Sequence, residues 1–447
     1  MKKIMLLIVG TVICLEILFY FQIDNKNILK ESNVETKNRS IAIMIKEDGE
    51  TNYILSSSNK ILVGKYKLNE EKTICENGGK ISDYNSKTGK IKMSLLGADK
   101  CYLYFDYFVL KRTSYQAVLL DNSNSSTNIS DAKAYIESKT ASSPPNFANI
   151  ATTNEGMYAA TDDLGTSYYF RGAVDNNWVK FGKDNSDNAI YWRIIRINGD
   201  NSIRMIYSGT TAPTSETSVT MTGFGTQVDT VSYAFNTNYD NPAHVGYMYT
   251  DGQQHGSSVS STIKTHLDDW YANSTKLNAE TKIIDQIFCN DRSASKSANG
   301  PSGELSEEMS TSVRYFYGAY IRLITNKTPE LTCKSSSDKF TVNINNGNGA
   351  LDYPVGLITA DEIAMAGGVY GKSNTNYYLY TNQYYWSISP YNNSINDCYA
   401  YAFLVYPDGT LMNRNVSHDY HIRPVISISP DTIFTGTGTW DDPYEVV

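Results

Sequence analysis

The chain has 447 residues, enough for two or three domains at roughly 150 residues each. Charged residues make up only 19% of it, and the formal net charge is −8. Because nucleic-acid binders need clustered lysine and arginine to displace counterions from phosphates, this balance argues against a nucleic-acid partner. The 35 tyrosines, against 14 phenylalanines, indicate either β-sheet faces or an exposed aromatic contact surface.

Residues 1–24 are predicted to form a transmembrane signal anchor. Lys2 and Lys3 precede an apolar run from Ile4 to Ile23, and about 20 apolar residues can span a hydrocarbon core of about 30 Å. The lysines favour the cytoplasmic side, and no cleavage site of small residues follows the run. The sequence therefore predicts a single-pass protein of the cell membrane with an extracellular C-terminal region.

Glu16 interrupts this apolar run. A carboxylate inside a spanning helix costs a few kcal/mol and often marks function. An early glutamate in an N-terminal hydrophobic helix resembles type IV pilins, in which it pairs with the N-terminus of a neighbouring subunit. That resemblance implies a pilin-like or envelope structural subunit assembled through its N-terminal helix. The alternative, which we favour, is a tolerated glutamate near the outer end of a signal helix.

Three segments follow the predicted anchor. Residues 25–41 are polar and aperiodic, and we interpret them as a stalk. Residues 42–112 alternate between apolar and polar side chains and contain a glycine-rich turn, which predicts a small β-domain. Residues 113–150 are rich in serine and contain two prolines, so they are predicted to be a linker with a short helix near Ser130–Lys139.

The cysteines indicate disulfides in an oxidising compartment. There is no C-x-x-C pair, which argues against a zinc knuckle or a thioredoxin-type site. Scattered cysteines of an exported chain are typical of structural disulfides. The predicted pairs each close a local loop and leave Cys398 without an assigned partner; they are Cys75–Cys101 and Cys289–Cys333.

The C-terminal part combines strands and helices. Asn198-Gly199 between two alternating runs is a strong hairpin signal. Apolar residues recur at helical spacing within Ser257–Ser274, and Thr359 with Glu362 fits a capping box at the start of a second helix. Short strands after helices indicate an α+β arrangement. The predicted fold class is therefore α+β, with an N-terminal transmembrane helix, a small β-rich domain and a final α+β domain.

Three short motifs carry a family resemblance. Ser261–Trp270 is similar to the family's S-x-[IL]-[RK]-x-x-L-[ND] helix motif, Tyr385–Ser387 to its Trp-Ser strand, and His421–Ile426 to its closing R-P-V strand. The chain thereby resembles uncharacterised bacterial surface proteins with a C-type-lectin-like or formylglycine-generating-enzyme-like C-terminal domain. The resemblance implies such a domain over residues 151–447. His421 stands where the family commonly has glycine.

The resemblance also implies a ligand-binding face in the loops around the last strands. These loops are rich in tyrosine, asparagine and serine, a composition suited to adaptable hydrogen bonding with aromatic anchors. An ordinary polar loop is the alternative. The candidate ligand-binding residues are Tyr384, Tyr385, Trp386, Tyr391, Asn392, Asn393, Asn396, Arg414, Asn415, His418 and Tyr420.

Catalytic motifs are missing from the sequence. It contains no H-E-x-x-H, G-x-S-x-G or P-loop pattern. His418-x-x-His421 lacks a third metal ligand at a suggestive spacing, and only Cys398 lies where the formylglycine-generating relatives use two cysteines. We therefore predict no enzyme, no cofactor and no metal. The predicted function is a membrane-anchored bacterial surface protein that binds an extracellular protein or glycan in adhesion or recognition.

Overall fold

The computed structural model describes most of the chain in two compact units. The described residues are 40–47, 49–56, 66–85, 90–95, 99–107, 111–123, 128–214, 232–394, 396 and 399–447. Unit 1 ends at Lys111 and includes Thr435–Thr437; unit 2 takes residues 112–434 and 438–447. The predicted anchor, all but the last two residues of the predicted stalk, and Cys398 lie outside the described residues.

The predicted fold class is wrong. Strands take 35% of the residues and helices 17%, so the protein is mostly β rather than an α+β chain headed by a transmembrane helix. Many of the strands contain only two or three residues. Strands this short produce no periodic pattern of apolar side chains in the sequence, so they could not be predicted from it. The described helices are all too short or too polar to cross a membrane. This finding also corrects the predicted single-pass membrane localisation, which rested on residues 1–24 alone.

Unit 1 is built from short strands around a parallel pair. Its strands are β1 (Ser40–Lys46), β2 (Ile54–Leu55), β3 (Tyr66–Leu68), β4 (Ile74–Cys75), β5 (Lys80–Asn85), β6 (Lys90–Ser94) and β7 (Lys100–Tyr107). β7 pairs with β1 in parallel and with β3 and β4 in antiparallel fashion, while β5 and β6 form a separate hairpin. Alternate residues of β1 and β7 point into the core, where Ile43 lies opposite Leu103 in register.

Unit 2 contains a larger set of strands. They are β8 (Arg112–Thr113), β9 (Asn154–Asp162), β10 (Gly165–Gly172), β11 (Trp178–Lys183), β12 (Ala189–Ile197), β13 (Ile203–Tyr207), β14 (Tyr233–Ala234), β15 (Met248–Tyr249), β16 (Val259–Ser260), β17 (Ile283–Ile284), β18 (Phe288–Cys289), β19 (Ala294–Ser295), β20 (Phe316–Tyr317), β21 (Lys339–Phe340), β22 (Tyr385–Asn393), β23 (Ala400–Val405), β24 (Leu411–Asn415), β25 (Asp419–Tyr420), β26 (Val425–Ile428), β27 (Ile433–Thr435) and β28 (Tyr444–Val446).

Two sheets organise unit 2 within the described residues. The larger runs β17-β26-β13-β12-β11-β28-β27-β8, with β10 and β9 added at β12, and the smaller runs β19-β20-β22-β23-β24. β24 is therefore an edge strand. The main core lies in this unit and includes the fully buried Trp192, Trp386 and Phe403. The smaller sheet carries most of the predicted ligand-binding residues, so its strand order decides which of them face solvent.

The helices of unit 2 confirm three local predictions. They are α1 (Ser114–Asp121), α2 (Ile129–Ser142), α3 (Thr262–Asn273), α4 (Thr275–Asn278), α5 (Gly318–Tyr320) and α6 (Ala360–Ala366). α2 covers the predicted helix in residues 113–150, and α1 and α2 place Val118 and Ile136 in the core. α3 begins after the N-cap Ser261, several residues later than predicted, because residues 259–260 form β16.

α6 forms as its capping signal predicts. The Thr359 side chain accepts a hydrogen bond from the Glu362 backbone amide, and the Glu362 carboxylate accepts one from the Thr359 amide. Both donors would otherwise be unpaired at the helix start. Gly367 ends the helix with a φ of 120°, a conformation that side-chain-bearing residues rarely adopt. Glu362 is thereby fixed at the first turn of a buried helix.

The predicted hairpin of β12 and β13 is also present, but with a longer turn. The Asn198 and Ser202 backbones close the loop, and Asn201 carries the positive φ of 67°. The backbone of Gly199 passes so close to Gly165 that a side chain would clash there. Gly199 is therefore needed for a close approach of two chain segments rather than for a two-residue turn.

Candidate functional site

Two of the predicted ligand-binding residues are core residues. Tyr385 is 1% exposed and Trp386 is fully buried. The Tyr385 hydroxyl donates to the Leu379 carbonyl at 3.0 Å, and the Trp386 indole N–H donates to the Tyr233 carbonyl at 3.0 Å. Each polar atom is thus paired inside the protein, as buried polar groups generally are. These two side chains hold the start of β22 in place and are not accessible to a ligand.

Asn393 and Asn415 are buried as well. The Asn393 side chain accepts from the Tyr315 amide at 2.6 Å and donates to the Val313 carbonyl at 2.9 Å. Asn415 accepts from the Ser417 amide and shapes the turn after β24. These asparagines fix loops rather than face solvent. For Asn393 the sequence pattern does not reveal this, because β22 shifts register twice against β23 and its inward and outward positions are not in simple alternation. Asn415 lies instead at the end of β24.

Tyr391 belongs to an aromatic group on one face of the smaller sheet. Its ring stacks on Tyr370 at 5.6 Å and meets Phe403 edge-on at 5.0 Å. The Tyr370 and Tyr391 hydroxyls lie 2.9 Å apart, and Asn413 donates to the Tyr370 hydroxyl at 2.7 Å. Because these hydroxyls are already paired, this half-buried group has its hydrogen-bonding capacity used internally. Of the neighbouring candidates, Asn392 is half-buried and Asn396 is exposed.

The remaining candidates meet in a second aromatic group, which we call the tyrosine cluster: Tyr384, Tyr406 and Tyr420. The rings of Tyr384 and Tyr420 stack at 4.7 Å with 27° between their planes, and Tyr406 meets Tyr384 edge-on at 4.9 Å. All three side chains are half-buried. Their contact reaches into the core through Trp386, which meets Tyr420 edge-on at 5.3 Å. The cluster is therefore a rigid aromatic surface with one side towards solvent.

Arg414 and His418 border the tyrosine cluster. The Arg414 guanidinium lies over the Tyr406 ring at 4.7 Å from the centroid, and the His418 ring meets Tyr420 at 6.3 Å. Arg414 is half-buried and His418 is exposed. Arg414 and Asn413 are successive residues of β24, so their side chains point to opposite faces of the sheet. The predicted single binding face is consequently divided between the tyrosine cluster and the Tyr391 group.

The Tyr406 hydroxyl is a buried polar atom that has no hydrogen-bond partner among the described residues. Burial raises the pKa of Tyr406 above its ordinary value, while Arg414 opposes that rise. The hydroxyl is thus protonated at neutral pH and remains both a donor and an acceptor. The Tyr247 and Tyr378 hydroxyls are in the same condition, so the buried Tyr406 hydroxyl does not by itself mark a binding site. Tyr406 was not among the predicted ligand-binding residues, although its position just before the Pro407-Asp408-Gly409 turn marks the end of a strand.

A second site lies deeper in unit 2 and was not predicted from the sequence. Glu362 pairs with Arg196 at 3.0 Å and with Arg204 at 2.7 Å, and Arg196 also pairs with Asp162 at 2.6 Å. Nearby, Arg322 pairs with Asp291 and Asp361 at 2.5 and 2.8 Å. We call these seven residues the ionic network. They line a cavity of about 30 Å³, which has room for one or two water molecules.

The ionic network is saturated by its own partners. Asp162 additionally accepts from the Gly199 amide, and the second carboxylate oxygen of Glu362 accepts from Thr359. Buried charges persist in a protein only when they are paired in this way. The three arginines face four carboxylates. We therefore assign the network to holding β12, β13 and α6 together rather than to binding.

The two predicted disulfides, Cys75–Cys101 and Cys289–Cys333, are both present. Their sulfur atoms also bear on metal binding. Among the described residues, Cys75, Cys101 and Asp99 form a group of three potential ligands whose ligand atoms lie within 4.8 Å of one another. The two sulfurs are bonded to each other, and Asp99 accepts from the Asn77 and Gly79 amides. These atoms therefore stabilise a turn of unit 1 and do not form a metal site.

Comparison with known proteins identified no relative of this chain. No family model, no curated protein and no solved structure matches this chain. The resemblance to C-type-lectin-like domains accordingly remains a prediction from three short motifs.

Proposed function

We propose that this protein is a recognition protein that binds an extracellular ligand through the tyrosine cluster and the neighbouring Arg414. The observation that carries the proposal is the stacked pair of half-buried rings of Tyr384 and Tyr420, with the Arg414 guanidinium over the adjoining Tyr406 ring. Rigid tyrosines supply large contact area at a low cost in conformational entropy.

Two further features support this proposal. The disulfides are typical of proteins that work in an oxidising, extracytoplasmic environment, where an extracellular ligand is available. The charged groups that line the deep cavity form ion pairs with one another. The tyrosine cluster is therefore the better candidate for contact with a ligand. The predicted C-type-lectin-like fold would also place ligand binding in the loops around these strands. The alternative of a pilin-like subunit rests on Glu16, outside the described residues, and no described feature favours it.

A binding screen with alanine variants tests the proposal. We expect the purified protein to bind saturably to at least one member of a glycan or protein array. Tyr384→Ala and Tyr420→Ala should each weaken that binding about fivefold to thirtyfold, because truncating an aromatic contact residue costs about 1–2 kcal/mol. Tyr353→Ala is a matched control, since Tyr353 is also half-buried and packs on one ring, Tyr271, at 5.5 Å.

The control should retain wild-type affinity. Tryptophan fluorescence should show that all three variants are folded. Either of two results would refute the proposal: the absence of saturable binding to any array member, or equal affinity of wild type and both cluster variants.

A further inference from the structure

Arg414 is one of four described arginines of unit 2 that form no ion pair with a described carboxylate; the others are Arg193, Arg314 and Arg423. The recorded hydrogen bond of Arg414 is a long one, 3.4 Å, to the carbonyl of the adjacent Asn413. Arg193 and Arg423, which are buried, donate to backbone carbonyls. Six other described arginines have acidic partners within 3.0 Å; they are Arg112, Arg171, Arg196, Arg204, Arg292 and Arg322.

Of the other arginines without an acidic partner, Arg314 is exposed, while Arg193 and Arg423 are buried. Arg414 is half-buried, and the central carbon of its guanidinium lies over the Tyr406 ring at 4.7 Å from the centroid. Stacking of this kind orients the five N–H donors before any ligand arrives, so little entropy remains to be lost on binding. Arg414 is therefore an oriented cation whose donors remain available.

We propose that the tyrosine cluster binds a sugar that carries a carboxylate, with Arg414 holding the carboxylate; this inference rests on the proposed function. A guanidinium and a carboxylate are both planar and form two parallel hydrogen bonds. The exposed parts of the Tyr384 and Tyr420 rings cover the apolar face of the sugar ring.

The size of the site favours a small acidic ligand over a protein surface. A stable protein–protein interface takes about 20–30 residues on each side. The tyrosine cluster with Arg414 and His418 has five, which is far fewer than such an interface needs.

The charge of the site favours a carboxylate over a phosphate or sulfate polymer. One unpaired guanidinium balances one negative charge, while the whole chain has a net charge of −8. A polyanion would be repelled by the excess of acidic groups, because the potential of the whole protein acts on an approaching ligand. A single carboxylate per recognised sugar is therefore the best match.

The test compares matched acidic and neutral sugars. We would titrate the protein with glucuronate-, galacturonate- and sialate-terminated oligosaccharides, and with the same oligosaccharides after reduction of the carboxylate to an alcohol. We expect at least one acidic form to bind at least tenfold more tightly than its reduced form. Arg414→Gln should lower the affinity for the acidic form about ten- to hundredfold, since hydrogen bonds to charged groups are among the strongest in proteins.

Two further variants sharpen this test. Arg314→Gln removes the same charge from an exposed arginine and should leave the affinity unchanged. Tyr406→Phe removes only a hydroxyl that is buried from solvent and keeps the ring beneath Arg414, so it should leave both the affinity and the preference for the acidic form unchanged. Raising the salt concentration should weaken the acidic form alone, because ions screen the contact with Arg414.

The possible failures are distinguishable. Equal binding of acidic and reduced sugars, or an unchanged affinity in Arg414→Gln, overturns the carboxylate inference and leaves the proposed function standing. Tighter binding of a hexaglutamate peptide or a sulfated glycan than of every acidic sugar also overturns it. If no array member binds and Tyr384→Ala changes nothing, the proposed function itself fails.

Discussion

We expect Glu362→Gln to lower the free energy of unfolding of unit 2 by about 3–5 kcal/mol, the usual cost of removing one partner from a buried ion pair. Glu362 is 3% exposed and holds Arg196 and Arg204 with one carboxylate oxygen. The amide of glutamine leaves both guanidinium charges without their shared counterion. Denaturant titration followed by tryptophan fluorescence measures the loss, because all five tryptophans lie in unit 2.

Glu445→Gln is the matched control for this prediction. Glu445 pairs with Lys180 at 2.8 Å, and the two side chains are 52% and 39% exposed. Solvent-exposed pairs contribute about 0–1 kcal/mol, so this variant should unfold close to wild type. A loss of less than 1 kcal/mol in Glu362→Gln would contradict the assignment of the ionic network to stability.

The pH dependence of stability offers an independent check on Glu362. Burial by itself would raise the pKa of Glu362, but Arg204 and Arg196 outweigh burial and hold this pKa below its ordinary value. A carboxyl with a lowered folded-state pKa contributes its stability above its unfolded pKa of about 4.3 and loses it as the pH falls through the folded value. Acid should therefore destabilise wild type more than Glu362→Gln. Identical acid profiles for the two proteins would show that Glu362 is not charged in the folded state.

We expect loss of the Cys289–Cys333 disulfide in a double serine variant to destabilise unit 2 by about 4 kcal/mol. The bond spans 44 residues, and closing a loop of that length restricts the unfolded chain by about this amount in the loop-entropy account. The disulfide also adjoins a pair of strands, because Cys289 lies in β18 and β18 pairs with β21. Tryptophan fluorescence during denaturant unfolding again reports the change in unit 2.

Chemical reduction supplies the control for the disulfide. A reductant should lower the unfolding midpoint of the wild type and leave that of the double serine variant unchanged. The tryptophan signal limits the comparison to unit 2, so reduction of Cys75–Cys101 in unit 1 does not enter it. Equal midpoints for the oxidised wild type and the serine variant would contradict the prediction.

The elements that were predicted correctly depend on neighbours along the chain. The capping box of Thr359 and Glu362 involves residues three apart, and the apolar face of α3 repeats within a single helix. The disulfides join cysteines 26 and 44 residues apart, each to the next cysteine along the chain. In each case the spacing of the residues along the chain predicts the stabilising contact, so the sequence was sufficient to predict these elements.

The candidate site was predicted only in part, because exposure depends on strand order and register. Three predicted ligand-binding residues on β22 and a fourth on β24, Asn415, turned out to be buried. Tyr406 was missed, and β22 shifts register against β23. A one-residue shift moves a side chain to the other face of a sheet. No periodic pattern in the sequence records such a shift.

The sequence by itself determined which segments form α3, α6 and the β12–β13 hairpin, and it determined the disulfide pairing, since these involve residues that meet without help from the rest of the fold. The start of α3 and the length of the hairpin turn differ from the prediction. Only the tertiary structure decided that Glu362, a capping residue by its spacing, also neutralises Arg196 from 166 residues away. It likewise brought Arg414 over Tyr406 without an acidic partner. The physical reason is that burial and charge pairing depend on which strands become neighbours, and that is settled by the packing of the whole unit.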